Sequence, residues 1–297
     1  MNLSLLKYIQ SFYLPIFDQI FNFISFLGED MIYILITAII YWTINKDLGR
    51  RLSIITLVSI LSNFFIKMLM KVPRPIGIEG IRSQRVHTAD GYAFPSGHTQ
   101  TATSYWSTFL LKLSKVKVHI AFKILIVAYL FLIGYSRLYL GVHWPTDVFG
   151  GYLLGVAFCI IGSFIYDAIK EVFENNNKSI ANIITMLMLP LLTILALIFN
   201  DTNSMIKLAS LSSGLFIGMV LEMKTLKYQI VHHKDKMTNI FKKTLVNLVG
   251  IIMIVLIALP LKFIFGESII LRYFVIGFSI IYLIPLLLKG LFKGDFE

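Results

Sequence analysis

The chain has 297 residues, of which 57% are hydrophobic and 14% charged, and its mean hydropathy is +0.79. This composition excludes a soluble domain of the same length and indicates an integral membrane protein. The net charge of +11 does not indicate nucleic acid as a partner, because the basic residues lie in short connections between apolar stretches. Cys159 is the single cysteine, which excludes an intramolecular disulfide and a thiolate metal cluster.

Ten apolar stretches, most of them near the ~20 residues that cross a bilayer, predict an all-α polytopic bundle of about ten transmembrane helices. The first stretch carries Gln10, Asp18 and Gln19, so it either spans the membrane or lies in the interface as an amphipathic helix. The chain start lacks a basic region and a cleavage site, and we expect it to be retained. The stretches are 8–27, 31–44, 52–70, 99–111, 122–140, 148–166, 183–199, 205–221, 245–265 and 269–288.

Charge placement predicts the orientation of the bundle. If the ten helices alternate, 18 of the 27 Lys and Arg residues fall on the side that also holds both termini. The positive-inside rule then places both termini in the cytoplasm. We expect the membrane to be the plasma membrane. Three polar segments of the chain, around residues 67–75, 95–98 and 136–147, fall on the opposite, extracytoplasmic side, where we expect them to converge into one site.

His143 and Asp147 are four residues apart and form the most chemically specific pair in the chain. If Pro145 opens a helix, the carboxylate lies on the same face as the imidazole, one turn later. A carboxylate bonded to one ring nitrogen fixes the tautomer and raises the basicity of the other nitrogen. We therefore interpret His143 as the candidate nucleophile and Asp147 as its orienting partner.

Cations and a helix N-terminus can bind the group that such a nucleophile attacks. In residues 95–98, Ser96 and Gly97 precede an apolar helix whose N–H groups can bind anionic oxygen, and His98 is the candidate acid and base. Phosphoryl transfer spreads negative charge over oxygens, so a site without a metal needs several such donors. The candidate phosphate-binding cations are Lys67, Arg74 and Arg137.

These residues form the pattern Lys67-x6-Arg74-Pro75, Pro95-Ser96-Gly97-His98 and Ser136-Arg137-x5-His143-x3-Asp147. The pattern resembles, without departure, the three-part signature of the type 2 phosphatidic acid phosphatase (PAP2) superfamily. The resemblance covers roughly the first six helices and implies a six-helix PAP2-like core. It also implies a phosphatase that needs no metal or other cofactor, with His98 as acid and base, His143 as nucleophile and Asp147 as its orienting partner. The phosphate-binding residues implied are Lys67, Arg74, Ser96, Gly97 and Arg137.

The second half of the chain carries no part of this signature. We predict a PAP2-like catalytic membrane domain over 1–175 and about four additional transmembrane helices over 176–297, with the asparagines at 175–177 as a hinge. The added helices are candidates for a packing partner, a dimer surface of a homo-oligomer or one wall of a lipid-access groove. The glycine pairs at 151/155 and 214/218 indicate close helix packing.

The loop over residues 76–94 links two of the polar segments. It either selects the substrate or is simply solvated. Its two arginines, Arg82 and Arg85, are interpreted as side chains that snorkel to the lipid headgroups.

The leading hypothesis is a membrane phosphatase that hydrolyses a phosphomonoester or diphosphate of a lipid through a phosphohistidine. Phosphatidate, phosphatidylglycerophosphate and isoprenoid diphosphate are its candidate substrates. One alternative is a phosphatase for a soluble sugar phosphate. The other is a transporter or scaffold that binds phospholipid without turnover. A binding protein needs the cations but not a nucleophile with an oriented carboxylate, which favours the enzyme.

Overall fold

The computed structural model of the chain describes residues 2–89, 91–113, 119–174, 202–230, 235–266 and 268–292. Within these ranges the protein is helical and contains no strand, so the predicted all-α fold is confirmed. Five of the described helices are long and apolar enough to cross a membrane, or six if one bent pair counts as a single span. The predicted stretch at 183–199 and the asparagines at 175–177 lie outside the described residues.

The described helices follow one another in a simple order along the chain. They are α1 (Leu3–Ser11), α2 (Pro15–Leu27), α3 (Asp30–Ile39), α4 (Lys46–Met70), α5 (Gly97–Leu113), α6 (Ile120–Tyr139), α7 (Pro145–Glu174), α8 (Thr202–Leu221), α9 (Lys236–Phe265), α10 (Ile269–Phe278) and α11 (Ile284–Leu291). Short π-helical segments occur at Ile40–Ile44, Glu222–Leu226 and Ser279–Leu283, and a 3₁₀ turn covers Val86–Thr88.

The chain divides into two compact units. Unit 1 comprises Met1–Thr37 and Arg51–Asp167, and unit 2 comprises Ala38–Arg50 and Ala168–Glu297. Residues 38–50 therefore group with the carboxy-terminal helices. The predicted single domain boundary at residue 175 does not describe this division. All eight candidate site residues belong to unit 1.

The first two predicted stretches form α1, α2 and α3 in the structure. Pro15 begins α2, since a residue without an N–H fits the first turn of a helix, and the long first stretch is thereby interrupted after Ser11. Helix α2 and the segment Asp30–Ile44, which comprises α3 and the π-helical segment after it, are bent by 54° relative to each other. Asp18 in α2 contacts Tyr139 at the end of α6 (3.0 Å), and Tyr33 in α3 contacts Tyr129, which lies earlier in α6 (3.2 Å). The chain therefore moves along α6 in one direction from α2 to α3. These contacts indicate one bent span rather than two crossings.

Helix α1 lies at the end of unit 1 where α6 finishes and α7 begins. Leu6 is fully buried in a cluster with Ala93 and Trp144. The Gln10 amide donates to the carbonyl of Arg82 at 2.9 Å and accepts from the Arg82 N–H at 3.0 Å. With nine residues α1 is too short to cross a bilayer, so it packs across the loop that links the first two polar segments.

Helices α5 and α7 approach each other closely through two glycines. A Cβ on Gly155 would lie 2.5 Å from the Thr103 Cβ, and one on Gly151 would lie 3.0 Å from the Ser96 carbonyl oxygen. The Ser96 N–H donates to the Asp147 carbonyl at 3.0 Å. The close approach of the two helices therefore brings the second polar segment into contact with the third. It agrees with the prediction that this glycine pair is a packing contact.

Unit 2 repeats this packing device between α8 and α10. A Cβ on Gly214 would lie 2.0 Å from the Phe274 carbonyl oxygen, and one on Gly277 would lie 2.2 Å from the Leu211 carbonyl oxygen. The backbones of the two helices are thus in direct contact, which small residues permit in membrane helices.

A buried ion cluster in unit 2 centres on Glu222, which is fully buried. Its carboxylate lies 2.6 Å from the Lys46 ammonium, pairs with Arg50, and accepts a hydrogen bond from the Tyr228 N–H at 2.7 Å. Two cations and an N–H donor thus compensate the carboxylate for the loss of water.

Candidate active site

The connection between α6 and α7 holds His143 against Asp147. Asp147 lies in the first turn of α7, where its Oδ2 accepts a hydrogen bond from the Trp144 N–H at 2.7 Å. The same oxygen lies 3.3 Å from Nδ1 of His143. A proton on Nδ1 directed at the carboxylate leaves Nε2 as the unprotonated, nucleophilic nitrogen. This is the arrangement predicted from the spacing of the two residues.

Arg74 brings the first polar segment to the same imidazole. Its Nη1 lies 3.0 Å from Nε2 of His143 and donates to the Val142 carbonyl at 2.9 Å, while its Nε donates to the Gly91 carbonyl at 2.9 Å. Burial, and then the positive charge of Arg74, hold the pKa of His143 well below its usual value of 6.5. The imidazole is therefore neutral at pH 7, as a nucleophile must be.

The second polar segment forms the N-terminus of α5. Ser96 is fully buried directly before the helix, and its Oγ accepts a hydrogen bond from the Thr99 hydroxyl at 3.0 Å. Gly97 begins the helix, and the first helical hydrogen bond runs from the Gln100 N–H to the Ser96 carbonyl at 2.9 Å, so the N–H groups of residues 97–99 are suited to an anion. Nε2 of His98 is buried and has no hydrogen-bond partner among the described residues.

Two amides that sequence reasoning did not identify support this turn. The Asn63 amide donates to the Pro95 carbonyl at 3.2 Å and to the Gln100 side-chain oxygen at 2.9 Å. Gln100 in turn donates to the Ser59 carbonyl at 2.9 Å. A Cβ on Gly97 would lie 3.3 Å from the Asn63 oxygen, so glycine lets α4 approach the start of α5. The only sequence signal for this network is the presence of uncharged polar residues in apolar helices.

The last turns of two helices supply the other cations. Lys67, near the end of α4, donates to the Tyr92 carbonyl. Arg137, near the end of α6, is fully buried and donates to the Ser25 hydroxyl. Nε of Arg137 has no partner within the described part of the chain. A cation at a helix C-terminus is stabilised by the helix dipole, which offsets part of its burial.

The structure thus brings the three polar segments together around one imidazole. Positive charge, helix N–H groups and two histidines can bind and attack a phosphate, while the carboxylate orients the ring. Among the described residues, no group of three or more His, Cys, Asp or Glu side chains could hold a metal ion.

Ion pairs attach the loop between the first two polar segments to the first 30 residues of the chain. Arg82 makes two bonds of 2.8 Å to the Asp18 carboxylate, and Arg85 pairs with Glu29. The interpretation that both arginines snorkel to headgroups is therefore wrong: both bind acidic residues from the first 30 positions of the chain. Asp90, in the same loop, lies outside the described residues.

Comparison with protein families finds two matches. Residues 48–171 match a model described as PAP2 superfamily, and residues 206–293 match one described as PAP2 superfamily phosphatase, transmembrane extension. Together the two matches cover more than half of the chain. The first contains every candidate site residue, and neither includes residues 1–47.

Curated proteins and solved structures show similar relationships. Mouse (Mus musculus) sphingosine-1-phosphate phosphatase 2 is 31% identical over 137 residues, which is 46% of this chain and 38% of that protein. The undecaprenyl-diphosphatase of Sulfolobus acidocaldarius is 29% identical over 155 residues, 52% of this chain and 73% of that protein. The crystal structure of Aquifex aeolicus LpxE, at 28% identity, covers 54% of this chain and 93% of its own with a TM-score of 0.45. The match thus spans little more than a third of the mouse protein's length.

Proposed function

Because the chain belongs to the PAP2 superfamily, we propose that it is a membrane phosphatase that hydrolyses a phosphomonoester or diphosphate of a lipid. The observation that carries the proposal is the position of His143. One ring nitrogen lies 3.3 Å from the Asp147 carboxylate, and the other lies 3.0 Å from the Arg74 guanidinium. An oriented nucleophile beside a phosphate-binding cation is what phosphoryl transfer to a histidine requires.

In the first chemical step, Nε2 of His143 attacks phosphorus and the bond to the leaving oxygen breaks. Asp147 holds the proton on Nδ1 and stabilises the positive ring that forms. The leaving oxygen takes a proton from His98, which acts as the general acid once the negative charge of the bound phosphate stabilises its imidazolium form. Negative charge on the remaining phosphate oxygens is neutralised by Lys67, Arg74 and Arg137, together with the α5 N–H groups and the Ser96 hydroxyl.

In the second step, water cleaves the phosphohistidine. His98, now neutral, takes a proton from the attacking water, and the N–P bond breaks to return His143 to its starting form. Inorganic phosphate leaves, and no metal takes part in either step. Both histidines thus complete a cycle in which each ends with the proton it held at the start.

A lipid is the substrate class that fits this site. Lys67 and Arg137 lie in the last turns of the apolar helices α4 and α6, the depth at which headgroups lie in a bilayer. Two relatives are named for phosphorylated lipids, sphingosine 1-phosphate and undecaprenyl diphosphate. Phosphatidate and phosphatidylglycerophosphate offer the same chemical group, so all four are candidates, with a soluble sugar phosphate as the alternative.

We further propose that the site faces the extracytoplasmic side of the plasma membrane. The bend between α2 and α3 and the position of α1 support a helix count in which the two helices form one span, with the start of the chain at the site end of unit 1. In that count only Lys7 changes side, so 17 of the 27 Lys and Arg residues, the 18 counted before without Lys7, stay on the side that the sequence predicts to be cytoplasmic. The amino terminus is then extracytoplasmic with the site, in contrast to the cytoplasmic placement predicted from ten alternating helices.

Residues 1–175 supply the catalytic domain in this proposal, and 176–297 supply the added transmembrane helices. The match of residues 206–293 to a transmembrane extension of PAP2 phosphatases supports the second assignment. We further propose that these helices form the contact surface of a homo-oligomer. The molecular mass of the purified protein in detergent tests this proposal.

Phosphate release by the purified protein tests the function. Wild type, His143→Ala and His119→Ala are assayed in EDTA on sphingosine 1-phosphate, undecaprenyl diphosphate, phosphatidate, phosphatidylglycerophosphate and glucose 6-phosphate. His119 is the matched control because it is an exposed histidine at the start of α6. We expect release by wild type and His119→Ala, and a loss of about 10³-fold or more in His143→Ala.

Three results would count against the proposal or a part of it. Turnover retained in His143→Ala would exclude this residue as the nucleophile. Binding of lipid phosphate without release, equal in wild type and His143→Ala, would favour the transporter or scaffold. Preference for glucose 6-phosphate would keep the chemistry but replace the lipid.

A further inference from the structure

One face of α2 lies against Arg137 and against the two arginines of the loop between the first two polar segments. Asp18, Asn22 and Ser25 recur at the spacing of one helix face, and Glu29 follows in the next turn. Each contacts a residue of the site or of the loop beside it. Asp18 binds Arg82, the Asn22 carbonyl accepts from Arg85 at 3.4 Å, Ser25 binds Arg137 and Glu29 binds Arg85. None of the four lies within the segments that match a family model.

Ser25 makes the contact that bears most directly on the proposed reaction. Both Ser25 and Arg137 are fully buried, and the Ser25 hydroxyl accepts a hydrogen bond from Nη1 of Arg137. A guanidinium is a rigid planar fork, so fixing one of its nitrogens fixes the direction of its other donors. Nε of Arg137 has no partner among the described residues and is available for a phosphate oxygen.

The turn after α2 also fits against the second histidine. A Cβ on Gly28 would lie 3.3 Å from Cδ2 of His98 and 3.0 Å from Cδ1 of Ile133, one turn before Arg137 in α6. The Glu29 ion pair with Arg85 then fastens this turn to the loop over the site. The segment around Ser25 is therefore held on both sides, which lets it position a partner rather than move with it.

We propose that Ser25 is a positioning residue of the active site, which acts by orienting Arg137 toward the phosphate of the substrate. The proposal rests on the proposed phosphatase function. It adds to the three-part signature a residue from the amino-terminal span. Ser25 itself need not touch the substrate, since it acts through the guanidinium that its oxygen accepts from.

The test is a double-mutant cycle on purified protein, with inorganic phosphate as the binding probe. Ser25→Ala, Arg137→Ala and the double variant are compared with wild type for kcat/KM and for the phosphate concentration that raises Tm by half its maximum. Ser104→Ala is the matched control, because that hydroxyl is buried in unit 1 and donates only to the Thr101 carbonyl in its own helix.

We expect Ser25→Ala to lower kcat/KM and to weaken phosphate binding by about tenfold, as loss of an acceptor for a charged donor does. Ser104→Ala should stay within about twofold of wild type. In the Arg137→Ala background, Ser25→Ala should add less than about twofold, because its partner is already absent. A purely structural serine would instead give the same loss in both backgrounds.

Two outcomes would overturn the inference. One is a Ser25→Ala variant that binds phosphate as Ser104→Ala does, and the other is a loss that persists in full without Arg137. Failure of the proposed function would look different, since wild type would then release no phosphate from any substrate. The thermal shift with inorganic phosphate would still decide the role of Ser25 in that case.

Discussion

Nη1 of Arg74 lies 3.0 Å from Nε2 of His143, the ring nitrogen on the side opposite the Asp147 contact. One cation thus lies beside the nitrogen that we propose as the nucleophile. A positive neighbour disfavours the imidazolium, so it keeps the ring neutral and able to attack. The same guanidinium can bind a phosphate oxygen, which places the phosphorus near the ring.

This relationship predicts the acid limb of the pH profile. Burial and the Arg74 charge lower the pKa of His143 below 6.5, so activity that requires the neutral ring should persist below that pH. Arg74→Gln removes a cation, which raises the pKa of His143, and the acid limb of kcat/KM should move to higher pH. Lys71→Gln, an exposed cation three residues earlier, is the control. An acid limb that stays in place or moves to lower pH would contradict the assignment.

Asp147→Asn tests the orienting carboxylate. The amide keeps the size of the side chain but loses the charge that stabilises the ring during attack and fixes its tautomer. We expect kcat to fall by about 10²–10⁴-fold with little change in KM, measured as initial rates of phosphate release. Asp167→Asn is the control, since that residue is 57% exposed and pairs with Arg51. Equal rates for Asp147→Asn and wild type would show that the carboxylate has no part in the reaction.

Gly155→Ala tests the close contact between α5 and α7. The added Cβ would lie 2.5 Å from the Thr103 Cβ and 2.8 Å from the Gln100 carbonyl oxygen, so the helices must move apart. We expect a cost of about 1–3 kcal/mol, seen as a lower Tm in detergent, and reduced activity because Ser96 directly precedes α5 and Asp147 lies in α7. Gly290→Ala, where a Cβ meets nothing within 4 Å, should leave Tm unchanged or raise it. A Tm for Gly155→Ala as high as that of Gly290→Ala would mean that the contact is not tight.

Glu222→Gln tests the buried ion cluster of unit 2. The amide can still accept from the Tyr228 N–H, but it leaves Lys46 and Arg50 without their carboxylate partner. Breaking a buried pair in this way costs about 3–5 kcal/mol, so Tm should fall markedly. Glu79→Gln, at an exposed position in the loop of unit 1, should have no measurable effect on Tm. Equal Tm values for the two variants would show that the cluster does not stabilise unit 2.

Much of the candidate site could be predicted because charged side chains next to apolar helices carry a free-energy cost in a membrane protein. Charged groups at the ends of apolar helices are rare without a function, so Lys67, Arg74 and Arg137 stand out in the sequence. The i, i+4 spacing of His143 and Asp147 likewise predicts their contact once Pro145 is taken as a helix start. Their roles in catalysis stay predictions until the variants above are measured.

The supporting residues could not be predicted in the same way. Ser25, Asn63 and Gln100 are uncharged, and each lies in a helix with several other polar side chains from which the sequence alone does not distinguish it. Their partners are distant in the chain: 112 residues separate Ser25 from Arg137. Only the packing of the helices shows which hydroxyl or amide meets which cation or carbonyl.

The first two apolar stretches were predicted as separate segments, with the first either a span or an interfacial helix. Local signals for another arrangement were present in Pro15 and Gly28, which mark the start of α2 and the bend after it. A hydropathy average alone does not detect such signals, because it measures how apolar a stretch is and not where a helix is interrupted. The long-range contacts of α1 with Ala93 and Trp144 then determine where the chain start lies.

The position of α1 makes the protein convenient for chemical labelling. Cys159 is 1% exposed, so a thiol introduced at the exposed Ser11 would be the reactive one in the folded protein. Helix α1 lies at the end of unit 1 that holds the site, and a membrane-impermeant maleimide applied to intact cells would modify Ser11→Cys only if that end faces outward. A single labelling reaction would therefore report on which side of the bilayer the phosphate is released.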